Sequence, residues 1–568
     1  MNIRLVIWLF LLPRSLPGQS SISKGQIHRG NVGTGRVDTV LISLRDGDYA
    51  RGTILQSGKT RVTILNPDRS AHVVVDAFPR DTTAIVFAAE GEGAYRIAIM
   101  NRDTAPVAYE LRFDEVLNLD ERLKPAVFRD TLESPRINAL KKQLAMGDSN
   151  TTAFWSEISR QGTPLVEAYA ADSKYQLVTF LWRARFDTRN VLVKGSFLDP
   201  VSPTDLGMHR LGMTDVWYMT ARLPVGARFT YSLSPNDPMT RVGPRSDQRR
   251  ATMQMDPLNP RRAACPPGTS KFDCISVGAL PNAPPQPWAA KRPNTPSGKL
   301  ERATLHSATE NVERGFAVYT PAGYRTAGQP SALVVLFDGA DYLSPAAEDL
   351  TQHDTPAIIE NLIADSLLPS TVVVFLDNLP GRRLPDLLGN PKLADFLATQ
   401  LVPWVRAHYN VSRDARKTVI GGFSVGGFAA AYVGLRHSEI FGNVLSQSGA
   451  FWWSPEHNGG VCSSLCDPGY VASRILDGTT EPNWLARQFS IIRRLPLRFY
   501  LYAGSFEVSW GKGGNILEGT RHLRDVLRAR GYEVHYQQYP AGHDGLTWQG
   551  TIADGLVALI GNHSATAP

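Results

Sequence analysis

The sequence predicts a multidomain chain. Two β-rich domains come first, and a larger α/β domain built on a mostly parallel sheet follows. Three observations predict this. At 568 residues the chain has room for about three domains. Residues 24–118 carry short β-rich runs at even spacing, cut by turn signals. From about residue 299 short apolar runs alternate with helical patterns, which implies parallel strands with helices on both faces. A composition of 43% hydrophobic and 20% charged residues is enough to bury a large core and argues against wholesale disorder.

In chain order, Leu5–Leu12 is wholly apolar behind the charge of Arg4, and Gly18-Gln19-Ser20 places small residues where a signal peptidase reads. Residues 1–20 are therefore expected to be a secretory signal. Arg14 is atypical in such a segment, and a mis-assigned start is the competing reading. Residues 24–118 read as a β-sandwich accessory domain. Its runs Val37–Ile42, Arg61–Leu65, His72–Val75, Ala84–Ala88, Tyr95–Met100 and Ala108–Phe113 are separated by Asp-Gly, Ser-Gly, Asn-Pro and Glu-Gly turns. Residues 119–165 read as a helical connector, with helices over Ser134–Met146 and from near Asn150 to Ser159. A second β-rich block covers 166–255, with strands Gln176–Arg185, Asn190–Gly195, Asp215–Arg222 and Arg228–Leu233. The Pro-rich residues 256–298 read as an irregular linker. In the α/β domain, residues 299–562, strands are expected at Val334–Phe337, Thr371–Leu376, Thr418–Gly422, Val444–Gln447 and Arg498–Ala503. Helices are expected at Leu393–His408, Gly426–Leu435 and Thr520–Arg530.

No apolar run reaches the roughly 18–20 residues of a spanning helix, so no membrane span is expected. The net charge of +7 is spread along the chain in short pairs such as Arg249-Arg250 and Arg382-Arg383. Nucleic-acid binders gather such charge into clusters, so no nucleic acid is expected as a partner. The spread reads as a basic solvated surface; the sharper reading is an anionic small-molecule substrate met by a few placed arginines. Four cysteines fall in two local pairs, Cys265/Cys274 and Cys462/Cys466. Short loops favour local disulfides, in keeping with export to an oxidising compartment, periplasmic or secreted. A zinc site is the competing reading, but neither spacing is a typical knuckle and no paired His lies nearby.

Gly422-Phe423-Ser424-Val425-Gly426 follows an apolar strand and opens a helix. That is the context of a nucleophile elbow, in which flanking glycines allow the strained turn and the serine hydroxyl rises above the sheet edge. A serine needs a base, and in the α/β-hydrolase order an acid and then a histidine follow it. His543 sits in Gly542-His543-Asp544, a loop just after the strand Glu533–Tyr539. Glu507 stands three residues past the strand end Gly504, where it can orient the imidazole and stabilise the imidazolium. Asp544 and Glu518 are rivals for that role. An oxyanion hole needs two backbone N–H groups. Val425 follows the nucleophile, and Ala340 follows the strand end Asp338-Gly339. No His-Glu-x-x-His or clustered carboxylate set is present, so neither a metal ligand set nor a cofactor is expected.

At these residues the chain resembles the enterochelin (ferric enterobactin) esterase family, over roughly residues 120–560. The matching catalytic-domain motifs are Asp338-Gly339, Gly421-Gly422-Phe423-Ser424, the run Leu445 to Trp453, and Gly542-His543-Asp544 followed by Trp548. Arg383, Asp386, Leu387 and Asn390 match an Arg-x-x-acid-Leu-x-x-Asn pattern in which the family more often carries Glu. Arg210 to Trp217, Asp256–Pro260 and Leu280–Trp288 resemble the family's N-terminal sandwich and wrap-around linker. The resemblance implies one N-terminal β-sandwich and a C-terminal α/β-hydrolase domain, and with the 24–118 sandwich the expected fold class is two N-terminal β-sandwich domains followed by an α/β-hydrolase domain. It implies a serine esterase that hydrolyses a ferric catecholate trilactone siderophore through Ser424, His543 and Glu507. The iron would arrive with the substrate. Arg383 is the motif-placed candidate for binding the anionic substrate through charge and stacking. Arg210 and Trp452 are further candidates. Pairing with Asp215 is the alternative for Arg210, and core packing is the alternative for one of Trp452 and Trp453. The leader and the 24–118 domain depart from the cytoplasmic members. Exported relatives also cleave feruloyl and other carbohydrate esters, which keeps that substrate class open.

Ser424→Ala is expected to lower turnover by several orders of magnitude with folding intact. Glu507→Gln is expected to cost much less than His543→Ala. Steady-state kinetics with circular dichroism checks both, and a more damaging Asp544→Asn would move the acid role to Asp544.

Overall fold

A computed structural model describes residues 20–562 apart from 78–81, 124–127, 129–130, 148–149, 186, 198–206, 240–246, 264–271, 273, 344–353, 456–482 and 509–514. Almost all of the expected leader, and Cys265, Cys462 and Cys466 with both expected disulfides, lie outside the described residues. Cys274 is described and buried.

The first unit, from Ser20 to Leu117, has a five-stranded and a four-stranded sheet. Its strands alternate in burial, as in Thr60–Leu65, because every second side chain points inward. One core joins Val40, Ile42, Ile64, Ile97 and Ile99 of one sheet to Ile54, Ile85, Phe87, Leu111 and Phe113 of the other.

The connector does not stand free. Helix Pro135–Ala145 starts at Ser134, whose hydroxyl accepts the Ile137 N–H, with Pro135 in the first turn. It and helix Thr152–Gln161 bury Ile137, Leu140, Phe154, Trp155 and Ile158 against Leu181, Val216 and Tyr218 of the second unit. That unit has two four-stranded sheets. One contains Tyr175–Arg183 and Val216–Pro224; the other contains Val191–Gly195, Arg228–Pro235 and Ile275–Ala279. Phe180, Trp182, Val193, Trp217, Phe229 and Tyr231 form the core.

The 256–298 stretch is not the irregular linker the sequence suggests. Ile275–Ala279 is a strand paired antiparallel with Arg228–Tyr231, and a short strand Arg262–Ala263 pairs with it in turn. Interrupting prolines hide a five-residue alternation that only its partner strand makes stable. Buried Asp256 accepts hydrogen bonds from the Thr163 and Tyr231 hydroxyls and anchors the stretch at its start. The rest straps the α/β domain: Trp288 Nε1 donates to Asp365, and the Asn361 amide donates to the carbonyls of Trp288 and Ala290.

The α/β domain is built on an eight-stranded sheet. Its order is Lys299–Ser307, Val312–Thr320, Thr371–Leu376, Ala332–Leu336, Thr418–Phe423, Asn443–Gln447, Arg498–Gly504 and Glu533–Tyr539. The first two strands pair antiparallel and the last six are parallel. The central strands are buried throughout, because helices cover both faces and leave a core on each. The helix expected over Leu393–His408 is broken by a π-helical turn at Leu397–Leu401. Pro403 lacks the N–H of a regular turn, and the widened turn absorbs that loss. Among the described residues no helix is long and apolar enough to cross a membrane.

Helix Val425–Arg436 lies directly on strand Thr418–Phe423. A Cβ on Gly422 would stand 2.6 Å from the Gly426 carbonyl carbon. Gly422→Ala is therefore expected to cost about 3 kcal/mol by overpacking. A lowered urea midpoint with loss of activity checks this; an unchanged midpoint would show that the helix can shift.

Candidate active site

Ser424 stands between that strand and helix with φ 55° and ψ −124°, a conformation L-residues rarely adopt. It is held by its own N–H donating to Gln447 O at 2.9 Å and by its carbonyl accepting from Ala450 N at 3.0 Å. Val425 opens the helix, so its N–H has no acceptor within the helix. The second oxyanion candidate, Ala340, is exposed just past the neighbouring strand, which pairs Leu336 with Gly421. Asp338 in that loop also has a positive φ, 57°. Gly339 could not be larger, because a Cβ there would meet the Phe375 carbonyl carbon at 2.6 Å.

His543 and Glu507 come from loops after the last two strands of the sheet. His543 Nδ1 lies 2.6 Å from Glu507 Oε1. A carboxylate only accepts, so Nδ1 carries the proton and Nε2 keeps the basic lone pair. The other Glu507 oxygen accepts the Gly504 N–H at 2.6 Å, and the side chain is buried. Glu518, one rival, sits exposed on helix Ile516–Ala529 and pairs with Arg521. Asp544, the other, is fully buried and caps helix Gly545–Ile560 by accepting the Thr547 N–H at 3.2 Å. Its remaining oxygen accepts from Thr230 of the second unit at 3.3 Å. Burial pushes the Asp544 carboxyl up to about 6.

Trp548, noted in the sequence without a role, links the residue before Ser424 to His543. Its ring stacks on Phe423, the residue before Ser424, at 4.4 Å, and meets the His543 ring edge-on at 4.8 Å. Its Nε1 donates to Ser448 Oγ at 2.9 Å, which fixes the indole. The spacing from His543 to Trp548 gave no hint of this contact, because Phe423 lies far away in sequence.

The three substrate-binding candidates fall in different settings. Arg383 forms a two-pronged pair with buried Asp338, Nε to Oδ1 at 2.6 Å and Nη2 to Oδ2 at 2.7 Å. Its charge is thus matched inside the protein, and it braces the loop that carries Ala340. Arg210 does not pair with Asp215. It donates to the carbonyls of Thr214 and Met213 in its own turn, while Asp215 receives Arg183, Thr151 and Trp155. The reason is local: the turn bends its carbonyls back onto Arg210, while Asp215 starts the strand beside Arg183. Trp453 is buried in the large core, and Trp452 is half-buried between that core and the cluster of Ala503, Ile516 and Leu517. Among the described residues no group of three or more His, Cys, Asp or Glu could hold a metal ion.

The family model of the N-terminal domain of enterochelin esterase matches residues 177–289, and the esterase family model matches residues 307–559. An iron(III) salmochelin esterase of Escherichia coli O6:H1 is 30% identical over 438 residues, covering 75% of this chain and 98% of its own length. The crystal structure of a ferric enterobactin esterase from Salmonella typhimurium is similar with a TM-score of 0.53 and 26% identity, covering 72% of this chain and 98% of that one. The enterobactin esterase of Shigella flexneri, crystallised in the presence of enterobactin, is similar with a TM-score of 0.50 and 25% identity over 73% of this chain and 98% of that one.

The raised Asp544 carboxyl sets a pH dependence. Its folded value of about 6 lies above the ordinary 3.8, so its contribution to stability is complete below about pH 4 and is lost as pH rises through 6. Asp544→Asn is expected to gain about 3 kcal/mol relative to the parent between pH 4 and pH 8. Denaturation at the two pH values measures this, and a constant difference would refute it.

Proposed function

Because the chain belongs to the enterochelin esterase family and is a carboxylic-ester hydrolase of the siderophore esterase type, we propose that it hydrolyses the ester bonds of a ferric catecholate trilactone siderophore through Ser424, His543 and Glu507. The observation that carries this reading is the buried Glu507 carboxylate on His543 Nδ1, with that ring held by the same Trp548 that stacks beside the nucleophile. We read both two-sheet units as β-sandwich domains. The leader-like run Leu5–Leu12 and the local cysteine pairs support action outside the cytoplasm, periplasmic or secreted.

Ser424 Oγ attacks a lactone carbonyl while His543 Nε2 takes its proton. Charge develops on the carbonyl oxygen, where the N–H groups of Val425 and Ala340 are the donors of an oxyanion hole. Glu507 stabilises the imidazolium, which then protonates the departing alkoxide. Water, deprotonated by the same histidine, resolves the acyl-enzyme and releases the opened scaffold with its iron. Arg383 is fixed by Asp338 while about a third of its side chain stays exposed, and a guanidinium so placed is suited to stacking on a catecholate ring. Trp452 is the second candidate for that surface.

The test is hydrolysis of ferric enterobactin and of methyl ferulate side by side, with Ser424→Ala as blank. A kcat/KM at least tenfold higher for the siderophore is expected. Preference for the ferulate would move the function to plant-derived esters. Arg383→Ala is expected to raise KM for the siderophore more than for a neutral aryl ester, and equal effects would remove its recognition role.

A further inference from the structure

The histidine loop is held from outside the α/β domain as well as from within. Pro540 O accepts the Arg228 N–H at 3.1 Å. Gly542 lies so close to the second unit that a Cβ on it would stand 1.9 Å from Ser196 O. Asp544, directly after His543, accepts from the Thr230 hydroxyl at 3.3 Å. Ser196 and Thr230 are themselves locked together: Thr230 N–H donates to Ser196 Oγ at 3.1 Å, and Ser196 N–H donates to Thr230 O at 3.0 Å. On the other side of the base, Phe506, the residue before Glu507, packs against the core of the second unit.

We propose that the second β-sandwich is a working part of the active site, with Thr230 and Ser196 acting as positioning residues that hold His543 in register through Asp544. Neither touches the reacting atoms. The proposal rests on the reading of Ser424, His543 and Glu507 as the catalytic set. Simple docking of one domain on another needs apolar burial anywhere along the interface. Here a hydroxyl held in place by Ser196 meets the buried carboxylate adjoining the base, and the loop backbone at Gly542 permits no side chain against Ser196. Within the loop, Ala541 O is bound by the Phe506 N–H and His543 by Glu507. The Asp544 end depends on the sandwich for the carboxylate oxygen that the helix cap does not use. A displacement of the base near 1 Å can cost about a hundredfold in rate, so a small slackening at Asp544 reaches the chemistry.

The experiment compares Thr230→Val, Ser196→Ala and the conservative Thr230→Ser in the full chain, using a neutral aryl ester that needs no siderophore recognition. Thr230→Val and Ser196→Ala are expected to lower kcat at least tenfold with KM within twofold, and Thr230→Ser is expected to restore kcat. Thermal denaturation runs alongside. A lowered Tm with unchanged kcat, or a kcat loss that Thr230→Ser does not restore, would overturn the proposal. Ser424→Ala and His543→Ala are the controls that separate the two readings. If both are inactive while Thr230→Val turns over like the parent, only the clasp fails. If either control stays active, the catalytic assignment itself fails.

Discussion

The close approach of helix Val425–Arg436 to the strand before it is the constraint on which the site depends. Gly422 shows how tight it is: a Cβ there would stand 2.6 Å from the Gly426 carbonyl carbon and 2.7 Å from its oxygen. Only backbone without side chains fits that contact, and the chain must turn between strand and helix within one residue. That residue is Ser424, and its positive φ follows from the turn. The same contact sets other parts of the site. A Cβ on Gly426 would lie 3.0 Å from Asp338 Oδ2, so the loop of Asp338 to Ala340 is packed against the start of the helix. Phe423, fixed at the strand end, provides the face on which Trp548 stacks.

Three buried carboxylates, Asp338, Glu507 and Asp544, lie just past the ends of parallel strands of the sheet, and their partners tell them apart. Burying a carboxylate without compensation is costly, so each is claimed by a specific set of donors. Asp338 is matched by Arg383 and by the Asn378 amide. Glu507 faces His543 and the Gly504 N–H. Asp544 receives a helix N-terminus on one side and the Thr230 hydroxyl of another domain on the other. Its carboxyl is pushed up by burial. One residue type thus braces a loop, meets a histidine and joins two domains.

The second unit and its strap tie these parts into one body. Buried Asp256 anchors the strap at its start, and Trp288 and Asn361 fasten its far end to the α/β domain. Between them Gln286 donates to Leu546 O, at the beginning of the helix that Asp544 caps. The base loop is therefore enclosed by the domain that carries it, by the second unit and by the strap.

Local patterns were enough to mark the succession of β-rich and α/β segments, the parallel sheet, and Ser424, His543 and a short set of acids as candidate site residues. Each has a signature within a few residues: a strand run, a Gly-x-Ser-x-Gly turn, a histidine or an acid just past a strand end. The strand Ile275–Ala279 escaped that reading because its stability comes from pairing with Arg228–Tyr231, some fifty residues earlier. The tertiary structure alone decided which acid meets the histidine, since Glu507, Glu518 and Asp544 are equivalent as residue types and differ in what folding places beside them. It also decided that Arg383 is paired with Asp338, that Arg210 closes its own turn, and that Trp548 links Phe423 to His543. The physical reason is range: turn chemistry and periodicity act over a few residues, whereas hydrogen-bond partners, burial and ring contacts depend on segments that meet only when the chain has folded.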